Sequence, residues 1–319
     1  MYVYGPIPSR RLGKSLGVSP IPPKTCSYSC VYCQLGRTTD LTSTRRSFFK
    51  KEDILDEILQ RSRDSVFDYI TFVGDGEPTL CRDLGWLIKN TGEAQQAPMA
   101  VITNGSLLFL DDVRSDLSHA DIVMPTLDAG NERTFRTVNR PHRGINFDNM
   151  LQGIVAFRHE FKGHIWLEVM LVKGVNDTAE ELESIKKAVD LIGPDRLYIV
   201  TPIRPPAESW VEPPDPETII MAQKIIGQAI AIADREDGAI ESGKFENARQ
   251  AILEIGARHP LRRDQAIEIE RTFEESGIVE QMLKAGELTR TEYESTIYLL
   301  PGHFVRGRSY HRDKRRQKQ

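Results

Sequence analysis

Short runs of β-branched and aromatic residues alternate with amphipathic stretches from residue 50 to about 235, and one further apolar run precedes them. The apolar runs predict strands at 16–20, 68–73, 100–103, 121–127, 165–172 and 196–201. The amphipathic stretches predict helices at 51–62, 82–90, 111–117, 146–161, 178–192 and 216–235. Strand–helix alternation of this length indicates an α/β fold whose parallel sheet, open or closed, is covered by helices.

The alternation of side chains along two of these strands predicts which residues face the interior of the fold. Ile122, Met124, Thr126 and Asp128 share one face of the fourth strand, and polarity rises toward its C-terminal end. The fifth strand has one wholly aliphatic face, which should pack under helices and leave Glu168 pointing inward. An interior carboxylate is costly unless it is paired. The candidate partners of Glu168 are Arg204, Lys173 or a bound ligand.

The last third of the chain has a different pattern. Six prolines between 202 and 216 mark the exit from the strands, and Arg235-Glu-Asp-Gly238 suggests a boundary, so we expect a core domain at 1–236. The module at 237–301 is predicted to hold three helices and one strand, at 246–257, 261–274, 276–285 and 296–300. This order resembles a small winged-helix module. Its many glutamates favour packing against the barrel or a protein over reading DNA.

Charge is unevenly distributed. The net charge is −4, but residues 302–319 carry seven Lys or Arg against Asp313, a net of +6, which leaves −10 on residues 1–301. This basic tail predicts either a disordered, solubilising end or a contact with RNA.

The bulk composition is that of an ordinary globular protein, with 39% hydrophobic residues and a mean hydropathy of −0.38. No apolar run approaches the roughly 18 residues of a membrane span, and the N-terminus lacks the apolar run of a signal peptide. Four cysteines in 319 residues do not form a disulfide scaffold. We therefore expect a cytoplasmic protein that does not associate with membranes.

Three of the four cysteines lie in one short run, Cys26-Ser-Tyr-Ser-Cys30-Val-Tyr32-Cys33. Three thiolates are one fewer than a closed tetrahedral site requires, which suits a four-iron cluster whose fourth iron is open to another ligand. The alternative is a structural zinc, for which Cys81 is the only further cysteine. Cys81 is otherwise expected to fill space in the core.

Polar and glycine-rich segments follow five of the predicted strands. They are the cysteine run, Gly74–Pro78, Thr103–Gly105, Thr126–Asp128 and Thr201–Pro206. Each alone would be ordinary turn chemistry. Because the C-terminal ends of parallel strands meet at one edge, the five together indicate a site. By contrast, Gly13-Lys14-Ser15 lacks the first glycine of a phosphate-binding loop, so we discount nucleotide binding there.

The cysteine spacing, with Tyr32 before the last cysteine, resembles that of the radical S-adenosylmethionine (SAM) enzymes. The resemblance implies a partial (β/α)6 barrel, a [4Fe–4S] cluster on Cys26, Cys30 and Cys33, and SAM on the open iron. Gly74–Pro78 resembles the family's Gly-Gly-Glu-Pro segment, with Asp75 in place of one glycine. The residues expected to contact SAM are Tyr32, Gly74, Asp75, Gly76, Glu77, Pro78, Asn104, Thr126, Asp128, Glu168 and Thr201.

Three further segments resemble the branch that contains the tRNA wyosine-base synthases, namely 5–11, 139–144 and 201–206. Those enzymes carry additional cysteines for a second cluster. Only Cys81 is left here, so their reaction is not carried over.

Four basic side chains near the predicted site are candidates for substrate binding: Arg140, His142, Arg143 and Arg204. Each has a structural alternative, such as an ion pair of Arg140 with Asp128 or Glu132. No catalytic side chain is assigned.

The resemblance implies an enzyme that cleaves SAM to a 5′-deoxyadenosyl radical, using an electron from a flavodoxin or ferredoxin. That radical removes hydrogen from a substrate that is not identified, with RNA and protein both open. The alternative is a non-catalytic iron–sulfur sensor that binds nucleic acid through its C-terminal module.

Overall fold

The computed structural model describes residues 1–232 and 245–302. Strand and helix alternate through the first of these ranges, as the hydrophobic pattern predicts. The elements in chain order are β1 (Val3–Ser9), β2 (Gly13–Val18), β3 (Thr25–Cys26), β4 (Asp40–Leu41), α1 (Lys51–Arg63), β5 (Tyr69–Phe72), a 3-10 helix (Pro78–Leu80), α2 (Leu84–Ala94), β6 (Met99–Thr103), α3 (Asp111–Leu117), β7 (Ile122–Pro125), α4 (Glu132–Val138), α5 (Phe147–Glu160), β8 (His164–Met170), α6 (Ala179–Ile192), β9 (Arg196–Val200), α7 (Pro216–Ile226) and β10 (Ala229–Ile232).

Eight of the strands form one sheet in the order β1-β2-β5-β6-β7-β8-β9-β10. Every neighbouring pair is parallel except β1 and β2, which form an antiparallel hairpin. The six predicted strands are β2 and β5 to β9, which confirms the α/β class and the partial barrel. The structure adds one strand at each edge of the sheet.

The sheet has a core on each side. One packs between strands and helices and contains Val101, Leu167 and Ile154. The other fills the lumen with Leu12, Ile122, Met124, Trp166 and Tyr198. The alternation of side chains along β7 and β8 is therefore as predicted, and Glu168 points into the lumen among the second group.

The edge strand β1 was not predicted because Pro6 and Pro8 interrupt its pattern. Proline cannot donate to a strand ladder, so it is tolerated at an edge. β1 is such an edge, and it pairs only with β2 in the sheet order. Helix α4 was also missed. It begins after Asn131, whose side-chain oxygen accepts a hydrogen bond from Thr134 N at 2.9 Å, an ordinary helix N-cap.

The single helix predicted over 216–235 is wrong beyond Ile226. Helix α7 ends at Ile226, and the next two residues, Gly227 and Gln228, have positive φ, +76° and +44°. These two residues turn the chain so that Ala229–Ile232 pairs with β9 as a parallel strand. The alternating Ala-Ile-Ala-Ile has strand period, but the apolar helix before it obscures that signal. Residues 233–235 lie outside the described range.

The turn between β1 and β2 closes the end of the lumen opposite the strand C-termini. Arg10 Nη1 donates to Ile232 O at 3.1 Å and so bridges the two edges of the sheet. Leu12 is buried in the lumen core, and Arg11 forms an ion pair with Glu168. The two side chains expected to pair with Glu168 are therefore wrong, because Lys173 pairs with Asp215 and Arg204 donates to Gln34.

Residues 245–302 contain the three predicted helices and the predicted strand, with two more strands. Their order is α8 (Ala248–Gly256), β11 (Leu261–Arg262), α9 (Arg263–Thr272), α10 (Ile278–Lys284), β12 (Leu288–Tyr293) and β13 (Thr296–Pro301). The strands form an antiparallel sheet in the order β11-β13-β12. The helices and β13 share a hydrophobic core of their own around Ile252, Ile269, Met282 and Leu299. The predicted boundary at 236/237 and the basic tail beyond Gly302 lie outside the described residues.

Within 1–232 and 245–302, the structure has no helix long and apolar enough to span a bilayer.

Replacing Arg11 with Met should destabilise the fold by about 3–5 kcal/mol, because Glu168 would stay buried without its charge partner. The side chains of the pair are only 17% and 8% exposed. The double variant Arg11→Met/Glu168→Met should have a free energy of unfolding within about 1 kcal/mol of the wild-type value. Lys186→Met, which breaks an exposed pair on α6, is the control and should cost no more than about 0.5 kcal/mol. Urea unfolding measures all three, and equal costs for Arg11→Met and Lys186→Met would contradict the role of the buried pair.

Candidate functional site

The cysteine run forms a loop that the neighbouring backbone fixes on both sides. It starts at β3, which pairs with β4 and so joins the two ends of the loop. Val31 N donates to Val138 O at 2.9 Å, which ties the middle of the loop to the end of α4. Tyr28 and Val31 are buried, and the Tyr28 ring packs edge-on against Phe135 at 5.4 Å. Because these two side chains anchor the loop, the half-buried cysteines next to them keep fixed positions.

Two asparagine amides donate to the cysteine sulfurs. Asn104 Nδ2 lies 3.6 Å from Cys26 Sγ, and Asn139 Nδ2 lies 3.6 Å from Cys30 Sγ. The backbone N–H of Tyr28 adds a third donor, 3.4 Å from Cys26 Sγ. Donors directed at sulfur stabilise thiolates, and they tune iron–sulfur clusters in the same way. The donor set therefore fits thiolate ligands.

Burial raises the pKa of Cys26, Cys30 and Cys33 above the ordinary thiol value, with the Asn104 and Asn139 hydrogen bonds opposing it at the first two. The thiols are thus neutral until a metal displaces their protons. In the described ranges, no three His, Cys, Asp or Glu side chains converge on one point.

The Gly74–Pro78 segment runs directly beside the cysteine loop. Lys24 N donates to Asp75 O at 2.6 Å, and Glu77 N donates to Thr25 O at 3.0 Å. A Cβ on Gly76 would lie 1.8 Å from Thr25 O, and one on Gly74 would lie 2.6 Å from Ile21 Cδ1. In this structure the two glycines permit close approach of protein to protein. The predicted meeting of these strand-end segments is confirmed.

Glu77 is buried and holds its neighbours through both carboxylate oxygens. Its Oε1 accepts from Thr79 N, Thr79 Oγ1 and Thr103 Oγ1, at 3.0, 2.6 and 2.6 Å. Its Oε2 accepts from Asn104 N at 2.7 Å. Desolvation raises the pKa of Glu77, and these hydrogen bonds oppose the rise. Glu77 thereby positions Asn104, whose side chain donates to Cys26.

Asp128 links the cysteine loop to the ends of β7 and β8. Its Oδ2 accepts from Tyr32 Oη at 2.5 Å and Asn139 Nδ2 at 2.6 Å, while Oδ1 accepts from Met170 N at 2.9 Å. Desolvation raises the pKa of Asp128 to about 6, although all three hydrogen bonds lower it. Both carboxylate oxygens of Asp128, which was expected to contact SAM, are therefore bound to protein groups.

The remaining SAM candidates lie at or near the C-terminal ends of β7, β8 and β9. Thr126 forms an isolated bridge with Glu168, and Leu127 N donates to Glu168 O at 2.8 Å. Thr201 is buried at the end of β9. Arg11 Nε is also buried, next to Glu168, and has no hydrogen-bond partner among the described residues. The lumen wall therefore contains the buried Arg11–Glu168 salt bridge, and the Arg11 Nε–H group can still donate one hydrogen bond.

The four substrate candidates have different surroundings. Arg140 has φ +47° and pairs with Glu208 at 2.6 Å, so the expected partners Asp128 and Glu132 are wrong. The backbone N–H of His142 donates to Ser27 O at 2.8 Å, and its Nδ1 lies 3.1 Å from Ser43 Oγ. Arg143 is exposed. Arg204 Nη1 donates to Gln34 Oε1 at 2.5 Å, and Arg204 Nη2 lies 3.2 Å from His259 Nε2.

Several site residues escaped the sequence analysis. Asn139 lies in the segment 139–144, and its local sequence does not indicate that its amide donates to sulfur. Glu208 accepts from both Arg37 and Arg140, and lies in the proline-rich segment 202–216, whose composition indicates only a chain exit. Gln34 and Arg258 connect the cysteine loop to the C-terminal residues, and nothing in their local sequence signals it.

The superfamily model "Radical SAM superfamily" matches residues 21–188, which hold the cysteine loop, Gly74–Pro78 and Glu168. The chain belongs to the radical SAM superfamily. A UPF0026 protein of Methanocaldococcus jannaschii is 37% identical over 305 residues, covering 93% of this chain and 95% of that protein. A protein of Brachyspira hyodysenteriae named GTPase Obg is 47% identical over 203 residues, covering 63% of this chain and 30% of that protein.

Among solved structures, a radical SAM methyltransferase from Sphaerobacter thermophilus superposes with a TM-score of 0.53 at 17% identity, covering 69% of this chain and 67% of that chain. This likeness concerns the fold. Radical SAM proteins use a [4Fe–4S] cluster and SAM, so membership makes this chain a radical SAM enzyme and does not favour the sensor alternative. The finer resemblance to wyosine-base synthases stays a prediction.

Replacing Gly76 with Ala should destabilise the cluster-free chain by about 1–3 kcal/mol, because the new Cβ would overlap Thr25 O and force the two loops apart. Gly256→Ala is the matched control, since its Cβ would lie 3.6 Å from Pro301 Cδ in ordinary contact. Urea unfolding compares the two variants. A Gly76→Ala protein as stable as Gly256→Ala would show that the close approach is not needed.

Asp128 should make the cluster-free chain less stable as pH rises. Its folded pKa of about 6 exceeds the ordinary 3.8, so its contribution is fully present below 3.8 and is lost as pH rises through 6. Between pH 4.5 and 7 the loss is about 2 kcal/mol. Asp128→Asn should remove this pH-dependent part, measured as the difference in free energy of unfolding from wild type at the two pH values. A difference that does not change with pH would contradict the assignment.

Proposed function

We propose that Cys26, Cys30 and Cys33 each bind one iron of the [4Fe–4S] cluster and leave the fourth iron for SAM. The observation that carries this is the pair of asparagine amides that donate to Cys26 and Cys30. When bound, the cluster and SAM supply a 5′-deoxyadenosyl radical that removes a hydrogen atom from the substrate. Cys81 takes no part, because it is buried in the hydrophobic core beside the barrel.

The Gly74–Pro78 segment is the proposed site for the ammonium group of SAM. Oε1 of Glu77 already accepts three hydrogen bonds, so Oε2, which accepts one, is the oxygen with capacity for an ammonium donor. Asn104, which Glu77 positions, lies between this segment and Cys26. The loop geometry supports the assignment, because both segments share backbone hydrogen bonds.

Tyr32 and Asp128 act together in this proposal. Asp128 fixes the Tyr32 ring and the Asn139 amide, so it holds the cysteine loop in place and acts on SAM through that loop. Thr126, Glu168 and Thr201 form the wall that SAM or substrate would face. An acceptor on either molecule would satisfy the buried Arg11 Nε.

At the substrate end, we assign His142 and Arg143 to substrate binding. His142 adjoins the cysteine loop through Ser27, and Arg143 is exposed and makes no ion pair with a described residue. Arg140 and Arg204 are engaged by Glu208 and Gln34, which supports a structural role for both.

The partners and compartment follow from the chemistry. A flavodoxin or ferredoxin is the proposed electron donor. All four cysteines are free, which suits the reducing cytoplasm where a thiolate-held cluster persists. RNA remains a proposed substrate class on the strength of the basic tail alone. The helix and strand order of 245–302 supports a winged-helix-like module.

Replacing Cys30 with Ala should lower 5′-deoxyadenosine formation by more than about 100-fold, which exceeds the usual cost of losing a second-shell partner. The measurement is anaerobic reconstitution with iron and sulfide, then dithionite and SAM, with iron content recorded in parallel. Cys81→Ala is the control. It should keep full iron content and product formation and lose about 1 kcal/mol of stability. Product formation by Cys30→Ala at the wild-type rate would refute the ligand assignment.

A further inference from the structure

We infer that the C-terminal module, residues 245–302, positions the SAM-binding segment through the Arg258–Asp75 ion pair, so that the arrangement of the module controls SAM affinity. The inference rests on the proposed function of Gly74–Pro78. It makes Arg258 a positioning residue, because it acts on SAM through Asp75.

Arg258 reaches the SAM segment from just beyond α8. Its Nε lies 3.2 Å from Asp75 Oδ2, and the two side chains are only 12% and 8% exposed. Its guanidinium stands 5.2 Å from the centroid of the Tyr4 ring, and Nη2 donates to Met1 O at 3.3 Å. Glu254, four residues earlier on α8, accepts from Nη1 at 3.0 Å and holds the guanidinium in this orientation.

The same short stretch of the module also contacts the cysteine loop. Gln34, which directly follows Cys33, donates through Nε2 to Arg258 O at 3.1 Å. Gln34 Oε1 accepts from Arg204 Nη1 at 2.5 Å, and Arg204 Nη2 lies 3.2 Å from His259 Nε2. Two adjacent residues of the module, Arg258 and His259, are thus joined to the loops proposed to hold the cluster and SAM.

Asp75 is the position at which this chain departs from the Gly-Gly-Glu-Pro pattern. A glycine there would offer no side chain to the module, whereas the carboxylate gives Arg258 a buried group to bind. The backbone of Asp75 is held on both sides, by Ser19 Oγ at 3.0 Å and by Lys24 N at 2.6 Å. Arg258 on the carboxylate and these two bonds on the backbone thus act together to fix the peptide planes that lead into Gly76 and Glu77.

Moving the module away would leave Asp75 buried without its charge partner, which is strongly unfavourable. The SAM segment would have to rearrange to expose the carboxylate. A binding partner that displaces the module would therefore weaken SAM binding. By linkage, SAM would weaken the binding of that partner by the same factor.

The test uses the full-length chain with Arg258→Gln, Asp75→Asn and both together. Arg258→Gln should keep its iron content and weaken SAM binding about tenfold, within the usual range of coupling between sites. Asp75→Asn should do the same. The double variant should also lose about tenfold instead of a hundredfold, because the two changes remove one interaction. Arg263→Gln, which breaks an exposed pair with Glu280 inside the module, is the control and should leave SAM affinity unchanged.

A second measurement needs no cofactor. In the cluster-free chain, hydrogen exchange of peptides covering 72–80 should be several-fold faster in Arg258→Gln than in wild type or Arg263→Gln. A lower unfolding midpoint with unchanged exchange and unchanged SAM affinity would show that Arg258 is only structural and would overturn the inference. Additive losses in the double variant would overturn it too. A wild-type chain that binds iron but does not cleave SAM would instead contradict the proposed function.

Discussion

The site depends on one buried carboxylate. Asp128 receives hydrogen bonds from the cysteine loop, from the end of α4 and from the backbone of β8, so three separate parts of the chain meet on two oxygen atoms. A carboxylate out of water is costly unless such donors surround it. The donors must therefore stay where they are for the fold to keep this charge, and the cysteine loop cannot shift independently of the sheet. Rigid placement of the thiol ligands is a consequence of that requirement.

The same principle recurs after β5. Glu77 uses its oxygens to fix Thr79, Thr103 and Asn104, and only through Asn104 does it reach Cys26. Many of the hydrogen bonds at the strand ends thus hold other site residues in position. Preorganisation of this kind lets an active site meet its cofactor without reorganising at the moment of reaction.

The strands, most of the helices and the location of the candidate site could be predicted from local sequence. Side-chain alternation along β8 placed Glu168 in the lumen, and the cysteine spacing predicted the candidate metal ligands, because both signals lie within a few residues of sequence. The partners of those groups could not be predicted in the same way. Arg11 and Glu168 are 157 residues apart, and Arg258 and Asp75 are 183 apart. Ion pairs between residues so far apart in sequence depend on how the whole chain packs. They therefore cannot be predicted from a local sequence pattern.

The turn that carries Arg10, Arg11 and Leu12 has a consequence for molecular traffic. It fills one end of the lumen with the Leu12 side chain and joins the two edge strands through Arg10, so the lumen is not an open channel from end to end. A small molecule therefore cannot pass through the barrel along its axis, because the turn blocks that path on the side away from the cysteine loop.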